Sequence, residues 1–341
     1  MEYLELDIRD ERFCAYPISG VPLGIWQWFP VRGGRWLRNV LHGFSCLRLT
    51  RFFLQRTNEP LRGCGCRAED LNAVLQKLFP NRGVSCAFAW PAPSRSTGRF
   101  YAYAFAKDGE FVAYVKLATA PQDDIALAHE VSTLKSLLTR KDLPFSTPLV
   151  LASGKLSYQT SYAVFTLLPI TCDAIRWSSR SWDEDLGSLH DAFALGTQHH
   201  LSMSEAVASD WAHEFKKRAK AVDYALLLRA CQQGATVSAN HGDMALHNIC
   251  RAKGRWWLFD WETYSESSPI LVDELTVYVC TRYFIEKWSY DTLLTQMKMD
   301  YPISKAETVV RVMQACAFVY AYNLSFANEF LSIFREYGRA V

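Results

Sequence analysis

The stretch His241-Gly242-Asp243-Met244-Ala245-Leu246-His247-Asn248, followed by Phe259-Asp260-Trp261-Glu262, decides how this chain is read. It sets a carboxylate five residues before a side-chain amide, and a second carboxylate directly after a short apolar run over residues 256–259. Phosphoryl transfer needs these groups in this order. One acid accepts or orients the proton of the attacking hydroxyl, while an amide and a second acid hold Mg²⁺ against the nucleotide phosphates. Asp243 fits the first role, and Asn248 and Asp260 fit the second. Two protein oxygens suffice for such a metal, because Mg²⁺ keeps waters and takes its other ligands from phosphate. Taken one at a time, the three residues are equally good loop residues capping helices. Their chain order and surroundings set them apart.

Working outward toward the N-terminus, helical spacing of Leu71, Val74, Leu75 and Leu78 predicts a helix over 68–79, stopped by Pro80-Asn81-Arg82-Gly83. A strand over 84–90, a loop over 91–98 and a strand over 100–106 follow. Lys107-Asp108-Gly109 is a hairpin turn of the Asp-Gly type, and residues 111–117 return as a strand that carries Lys116. A helix over 123–138 has Ile125, Leu127, Ala128, Val131, Leu134 and Leu138 as its apolar side and Glu130 within it. Strands over 149–152 and 161–167 complete a five-stranded antiparallel unit, closed by Pro169. The remainder is helix-rich except where short apolar pieces at 237–238, 249–250 and 256–259 alternate with the polar loops just quoted. The expectation is an α+β fold in three parts: a basic, aromatic extension over 1–80, a five-stranded lobe over 81–168 and a mostly helical lobe over 169–341.

With these residues in place, the sequence resembles the aminoglycoside phosphotransferase and choline kinase-like family, the small-molecule branch of the protein-kinase-like fold, over roughly residues 84–279. His241-Gly242-Asp243 and Asn248 match that family's catalytic loop, and Phe259-Asp260-Trp261-Glu262 matches its metal-binding strand end. Pro269 and Asp273-Glu274-Leu275 resemble the pattern that follows. The resemblance implies a bilobal fold, ATP and Mg²⁺ as cofactors, Asp243 as catalytic acid-base group, and Asn248 and Asp260 as metal ligands. It further implies that Lys116 binds phosphate and Glu130 orients it, and that Leu167 and Leu168, in the segment Thr166-Leu167-Leu168-Pro169, pair with adenine through their backbone. His241 reads as a brace for the loop. Two departures stand out. His247 occupies a place where the family often has glycine, and the loop over 91–98 lacks the pattern G-x-G-x-x-G. There Ser94, Ser96 and Thr97 are hydrogen-bond donors, and Arg95 has the charge and length to reach phosphate.

Composition sets the outer limits. At 341 residues, 50% hydrophobic and 21% charged, the chain has the makings of two globular domains and not of a disordered or low-complexity protein. Its longest uninterrupted apolar run, over 315–322, is far below the roughly 20 residues of a membrane span. Met1-Glu2-Tyr3-Leu4-Glu5-Leu6-Asp7 is acidic where a secretory leader is basic and then apolar, and the ten cysteines follow no repeated spacing, so a cytoplasmic protein with reduced thiols is expected. The tight pair Cys64-Gly65-Cys66 reads as ordinary thiols.

Net charge is only +2, yet residues 31–67 hold Arg32, Arg35, Arg38, Arg48, Arg51, Arg56, Arg62 and Arg67 against the single acid Glu59, eight minus one or +7. With Trp26, Trp28, Phe29, Trp36 and Phe44 beside these arginines, the segment suits an anionic membrane surface or a polyanionic partner, which would place the protein at the inner face of the membrane. No nucleic-acid-binding motif accompanies the charge, and nucleic acid is not an expected partner.

The expected acceptor is a hydroxyl of a small molecule or sugar, taken in the helical part. The wording of the catalytic loop is also similar to family members linked to bacterial surface polysaccharides, which points to a glycan or lipid-linked precursor. The alternatives are a kinase-like adaptor that binds a partner through its basic segment, and transfer of a nucleotidyl group in place of phosphoryl. The complete set Lys116, Glu130, Asp243, Asn248 and Asp260 favours the phosphotransferase.

Overall fold

The computed structural model describes residues 2–8, 11–18, 55–90, 98–141, 143–156, 160–169, 172–178, 180–194, 196–323 and 326–340. The chain divides into two compact units, Met1–Leu138 with Pro148–Ile170, and Thr139–Thr147 with Thr171–Val341.

The first unit is built on one antiparallel sheet. Its strands are β1 (Tyr3–Ile8), β2 (Glu11–Pro17), β3 (Gln55–Thr57), β4 (Ser85–Ala89), β5 (Arg99–Phe105), β6 (Phe111–Ala118), β7 (Val150–Lys155) and β8 (Ser161–Phe165), in the order β3-β1-β2-β4-β5-β6-β8-β7. The sheet is therefore larger than the five strands read from sequence: β4 to β8 are those five, and β1 to β3 extend it. The extension happens because β2 pairs with β4 through Cys14↔Ala89 and Ala15↔Phe88, satisfying backbone groups that a five-stranded sheet would leave open along that edge. The strands described within residues 1–80 thus belong to this sheet.

The Lys107-Asp108-Gly109 turn closes the β5–β6 hairpin, with the Ala106 N–H donating to the Glu110 carbonyl at 2.8 Å. On one face of the sheet the helix Ala68–Leu78 buries Leu71 and Leu75 against Phe88, Phe100, Val115 and Val164. The helix Pro121–Leu137 starts on Pro121, carries Asp123 and Asp124 in its first turn and Lys135 in its last, and so complements its dipole at both ends. Its buried side is Leu127, Glu130, Val131, Leu134 and Leu137, whereas Ile125 is 71% exposed and Ala128 and Leu138 also face solvent. The apolar stripe read from sequence is therefore rotated. Glu130 has to lie on the inner side to meet Lys116, and the residues three and four positions from it turn inward with it.

The second unit is mostly helical. Its centre is the helix Ala306–Tyr322, in which Val309, Val312, Met313, Cys316, Phe318 and Val319 are all buried. The helices Asp210–Arg218, Ala221–Ala230, Val272–Val279, Tyr290–Asp300 and Ala327–Gly338 contribute to the same core. The apolar run over 315–322 is thus the inside of a protein core, and among the described residues no helix is long and apolar enough to cross a membrane. Two small sheets interrupt the helices. Strand β10 (Ala235–Asn240) lies between β9 (His199–Leu201) and β13 (Ser265–Pro269), while β11 (Ile249–Ala252) and β12 (Arg255–Leu258) form a hairpin. The loops leaving β10 and β12 carry the residues singled out above.

Candidate functional site

The residues read from sequence fall into two constellations, one in each unit. In the first unit Lys116 lies on β6, paired across the ladder with Tyr101 and Ala163. Its Nζ donates to both carboxylate oxygens of Glu130, at 2.9 and 2.8 Å. The lysine is 6% exposed and the glutamate 2%. Burying two charges is costly unless they are paired and hydrogen-bonded, so the bidentate contact accounts for how this ammonium stays in place. The Phe165 ring lies 6.0 Å from Nζ. Leu167 and Leu168 are half-buried residues after β8, and the start of their segment is fixed where the Thr166 N–H donates to the Leu149 carbonyl at 2.9 Å. Ser94, Arg95, Ser96 and Thr97 lie outside the described residues.

In the second unit the chain leaves β10 at Asn240 and turns through Gly242, whose φ is +84°. A Cβ there would sit 2.2 Å from the Thr263 carbonyl oxygen, so both the backbone angle and the space require glycine. The turn is clamped from beneath. Asp273, fully buried in the first turn of Val272–Val279, accepts the His241 N–H at 2.7 Å and the Gly242 N–H at 2.9 Å. His190 Nε2 lies 3.6 Å from the same carboxylate and 3.1 Å from Asn240 Oδ1.

His241 is a brace, as its position suggested. A carbonyl can only accept, so the 3.1 Å contact between His241 Nε2 and the Phe259 oxygen puts the ring proton on Nε2. Nδ1 then accepts the Asp243 N–H at 3.4 Å. Burial lowers the pKa of this imidazole and favours the neutral ring, which the contact at Nδ1 requires. His247 is exposed on the short turn Leu246–Asn248.

Asp243 is half-buried. Asn248 Nδ2 donates to its Oδ2 and to its main-chain oxygen, each at 3.0 Å, which leaves the Asn248 amide oxygen as the end suited to a cation. Burial, with the Asp260 charge adding to it, pushes the Asp243 carboxyl up to about 7. Asp260 follows β12 with φ +68°, a left-handed conformation uncommon for a residue with a Cβ. Its turn is pinned by Trp261, a fully buried side chain whose Nε1 donates to the Leu258 carbonyl at 3.1 Å. That indole ring is surrounded by His241 at 4.4 Å, Phe145 at 5.5 Å, Phe193 at 5.8 Å and Tyr264 at 5.8 Å. A strained aspartate held by an aromatic cage is built to present its carboxylate. Asn248 and Asp260 offer hard oxygen atoms, the donor chemistry that Mg²⁺ prefers.

Sequence reasoning missed Asn323. Its Nδ2 donates to Asp243 Oδ1 at 2.6 Å from a position 80 residues away, at the end of a helix whose composition speaks only of packing. Asp273 was visible as part of a pattern, but its grip on the loop was not.

No family model matches this chain, and no curated protein matches it. Solved structures to which the chain is similar include a thermostable mutant of aminoglycoside phosphotransferase APH(4)-Ia in a ternary complex with ADP and hygromycin B, at 11% identity and TM-score 0.49, covering 80% of this chain and 98% of that one. Another is APH(2")-IIia in its GDP and kanamycin complex, at 12% identity and TM-score 0.44, covering 79% and 98%. A third is aminoglycoside phosphotransferase APH(3'')-Id from Streptomyces rimosus, at 16% identity and TM-score 0.42, covering 77% and 97%.

Proposed function

We propose that this protein is an ATP- and Mg²⁺-dependent phosphotransferase that moves the γ-phosphoryl group to a hydroxyl of a small molecule or sugar. The observation that carries the reading is the loop after β10, where Asp243 is half-buried, oriented by Asn248 and backed by a clamped turn. Asp243 takes the acceptor proton as the oxygen–phosphorus bond forms, and its raised pKa suits a group that must gain a proton near neutral pH. Asn248 and Asp260 are assigned to the metal, which when bound neutralises the phosphate oxygens. Lys116, kept in place by Glu130, is assigned to the phosphate oxygens of the nucleotide, with Leu167 and Leu168 at the adenine and Ser94, Arg95, Ser96 and Thr97 at the phosphates.

The acceptor proposed is a surface-glycan or lipid-linked precursor. Its support is the basic, aromatic segment over 31–67, which suits an anionic membrane surface or a polyanion, and the likeness of the loop to polysaccharide-linked sequences. Of that segment Arg56, Arg62, Arg67 and Glu59 are described; Arg56 lies 3.7 Å from Glu2 and Arg67 lies 3.5 Å from Asp70. Arg32, Arg35, Arg38, Arg48 and Arg51 lie outside the described residues. An acceptor screen with γ-labelled ATP tests the function: label on a hydroxyl acceptor with ADP as the co-product is the expected result. Release of pyrophosphate with AMP on the acceptor would mean nucleotidyl transfer, and no Mg·ATP binding at all would leave the adaptor reading.

A further inference from the structure

The carboxylate to which this reaction assigns the proton is gripped on both oxygens. Asn248 Nδ2 reaches Oδ2 at 3.0 Å from the loop itself, and Asn323 Nδ2 reaches Oδ1 at 2.6 Å from the far end of the helix Ala306–Tyr322. An aspartate side chain turns about two bonds, so one donor on one oxygen leaves the carboxylate plane free to swing. Two donors on two separate elements fix it. The second donor is also rigidly mounted. Asn323 is buried, its own N–H closes the helix by donating to the Val319 carbonyl at 2.8 Å, and the preceding helix packs Val312, Met313, Cys316 and Val319 into the core of the unit. Ending a helix explains a buried asparagine. It does not explain a short, charge-assisted bond aimed at the loop acid.

We propose that Asn323 is a positioning residue for Asp243. From the helix end it sets the plane of the carboxylate, so that the lone pairs the amides leave unused face the acceptor hydroxyl. The inference rests on the phosphotransferase reading, in which Asp243 takes that proton. It gives the end of the helix Ala306–Tyr322 a part in the chemistry. It also separates two tasks: Asn248 is assigned to the metal as well as to Asp243, whereas Asn323 is assigned to the acid alone.

The test uses the full chain and two variants. N323L keeps the four-atom branched outline and removes the donor, and N323D keeps the shape but puts an acceptor oxygen where the donor was. Turnover of Mg·ATP is read as ADP release with water as acceptor, beside the KM for Mg·ATP and the melting temperature of each variant. Positioning predicts that kcat falls about 10- to 100-fold in N323L and further in N323D, with the KM for Mg·ATP within about twofold of wild type, because misplacing a reacting group by a fraction of its length costs rate and not nucleotide affinity. Helix capping alone predicts a lowered melting temperature in both variants, N323D included because a carboxylate is disfavoured at a helix C-terminus, with the kcat of the folded protein near wild type. If the leucine does not fold, N323S, which keeps a small polar side chain at the helix end, takes its place. A melting-temperature cycle of D243N, N323L and the double variant checks the contact itself, and non-additive shifts are expected. Full kcat in N323L beside an inactive D243N would overturn this inference and leave the phosphotransferase reading standing. Full kcat in D243N would overturn both.

Discussion

Asp243→Asn separates the chemistry of the loop from its stability, and the separation can be worked from the pKa. An unfolded aspartate titrates near 3.9, whereas burial and the neighbouring Asp260 charge push this carboxyl up to about 7 in the folded protein. Between those two values the folded state holds a proton that the unfolded state has lost, so stability falls as pH rises from about 4 to about 7 and is flat above. From pH 5 to pH 8 the loss covers about two pH units, or about 2 to 3 kcal/mol. Asparagine cannot ionise and escapes that loss. It also turns one amide donor, Asn248 or Asn323, toward an NH₂ group, but that cost is the same at both pH values and cancels when they are compared. The metal-free D243N variant should therefore gain on wild type by about 2 to 3 kcal/mol on going from pH 5 to pH 8. For a unit of this size that is about 5 to 10 °C in relative melting temperature. Turnover should fall by about 10² to 10⁴ in the same variant, as for loss of a general base. A melting difference between variant and wild type that is the same at pH 5 and pH 8 would show that Asp243 titrates as an ordinary surface carboxylate, and the reasoning from burial would fail.

Four other changes probe the remaining assignments. Asp260→Ala should weaken Mg·ATP binding and turnover together, while leaving binding of metal-free ATP close to wild type; calorimetry with and without Mg²⁺ reads both, and wild-type Mg·ATP affinity would remove Asp260 from the metal. Lys116→Met withdraws the ammonium that the buried Glu130 carboxylate faces, at about 3 to 5 kcal/mol, so denaturant unfolding should find it less stable than the Lys116→Met, Glu130→Gln double variant. Gly242→Ala combines a left-handed backbone with a Cβ 2.2 Å from a carbonyl oxygen; turnover should be lost and the melting temperature lowered, and an active, stable variant would mean that the loop can relax around the methyl group. Replacing Arg32, Arg35 and Arg38 by Ser should weaken co-sedimentation with anionic vesicles at low salt by about 100-fold, from about 1 kcal/mol per arginine, whereas unchanged sedimentation would reduce the segment to an ordinary solvated face.

Local rules made much of this molecule legible. The Asp-Gly hairpin, the strands on either side of it and the helix that carries Glu130 are set by turn chemistry and periodicity, and they appear within a few residues of where those signals put them. What escaped depends on partners distant in sequence. Strand β13, Ser-Glu-Ser-Ser-Pro, has neither aromatic nor β-branched residues and exists because β10 offers it a ladder. Strand β1 alternates Leu4, Leu6 and Ile8 with Glu5 and Asp7, but what joins it to the sheet is β2, whose pairing with β4 no local signal gives. The stripe of the helix Pro121–Leu137 was misplaced because hydrophobicity alone cannot know that a glutamate belongs inside. Asp243, Asn248 and Asp260 were readable because their spacing is itself the chemical signal. Asn323 was not, since one asparagine after an apolar helix has no spacing to any of them.

That contrast says how the loop is made. The residues with legible spacing are those that must present atoms outward, and their intervals are fixed by the short path of the chain between β10, β11 and β12. Their orientation comes from elsewhere: Asp273 holds the His241 and Gly242 amides from one helix start, Trp261 and its aromatic neighbours fix the turn after β12, and Asn323 reaches Asp243 from a helix end. Three separate pieces of the core therefore converge on one polar loop of about twenty residues. A loop supported at a single point would recover its geometry after a compensating change nearby, but one supported at three cannot, because shifting any support strains the other two. It follows that substitutions at Asp273, Trp261 and Asn323 should combine non-additively although their side chains belong to different elements, the pattern expected of groups that share one strained object in place of one another's contacts.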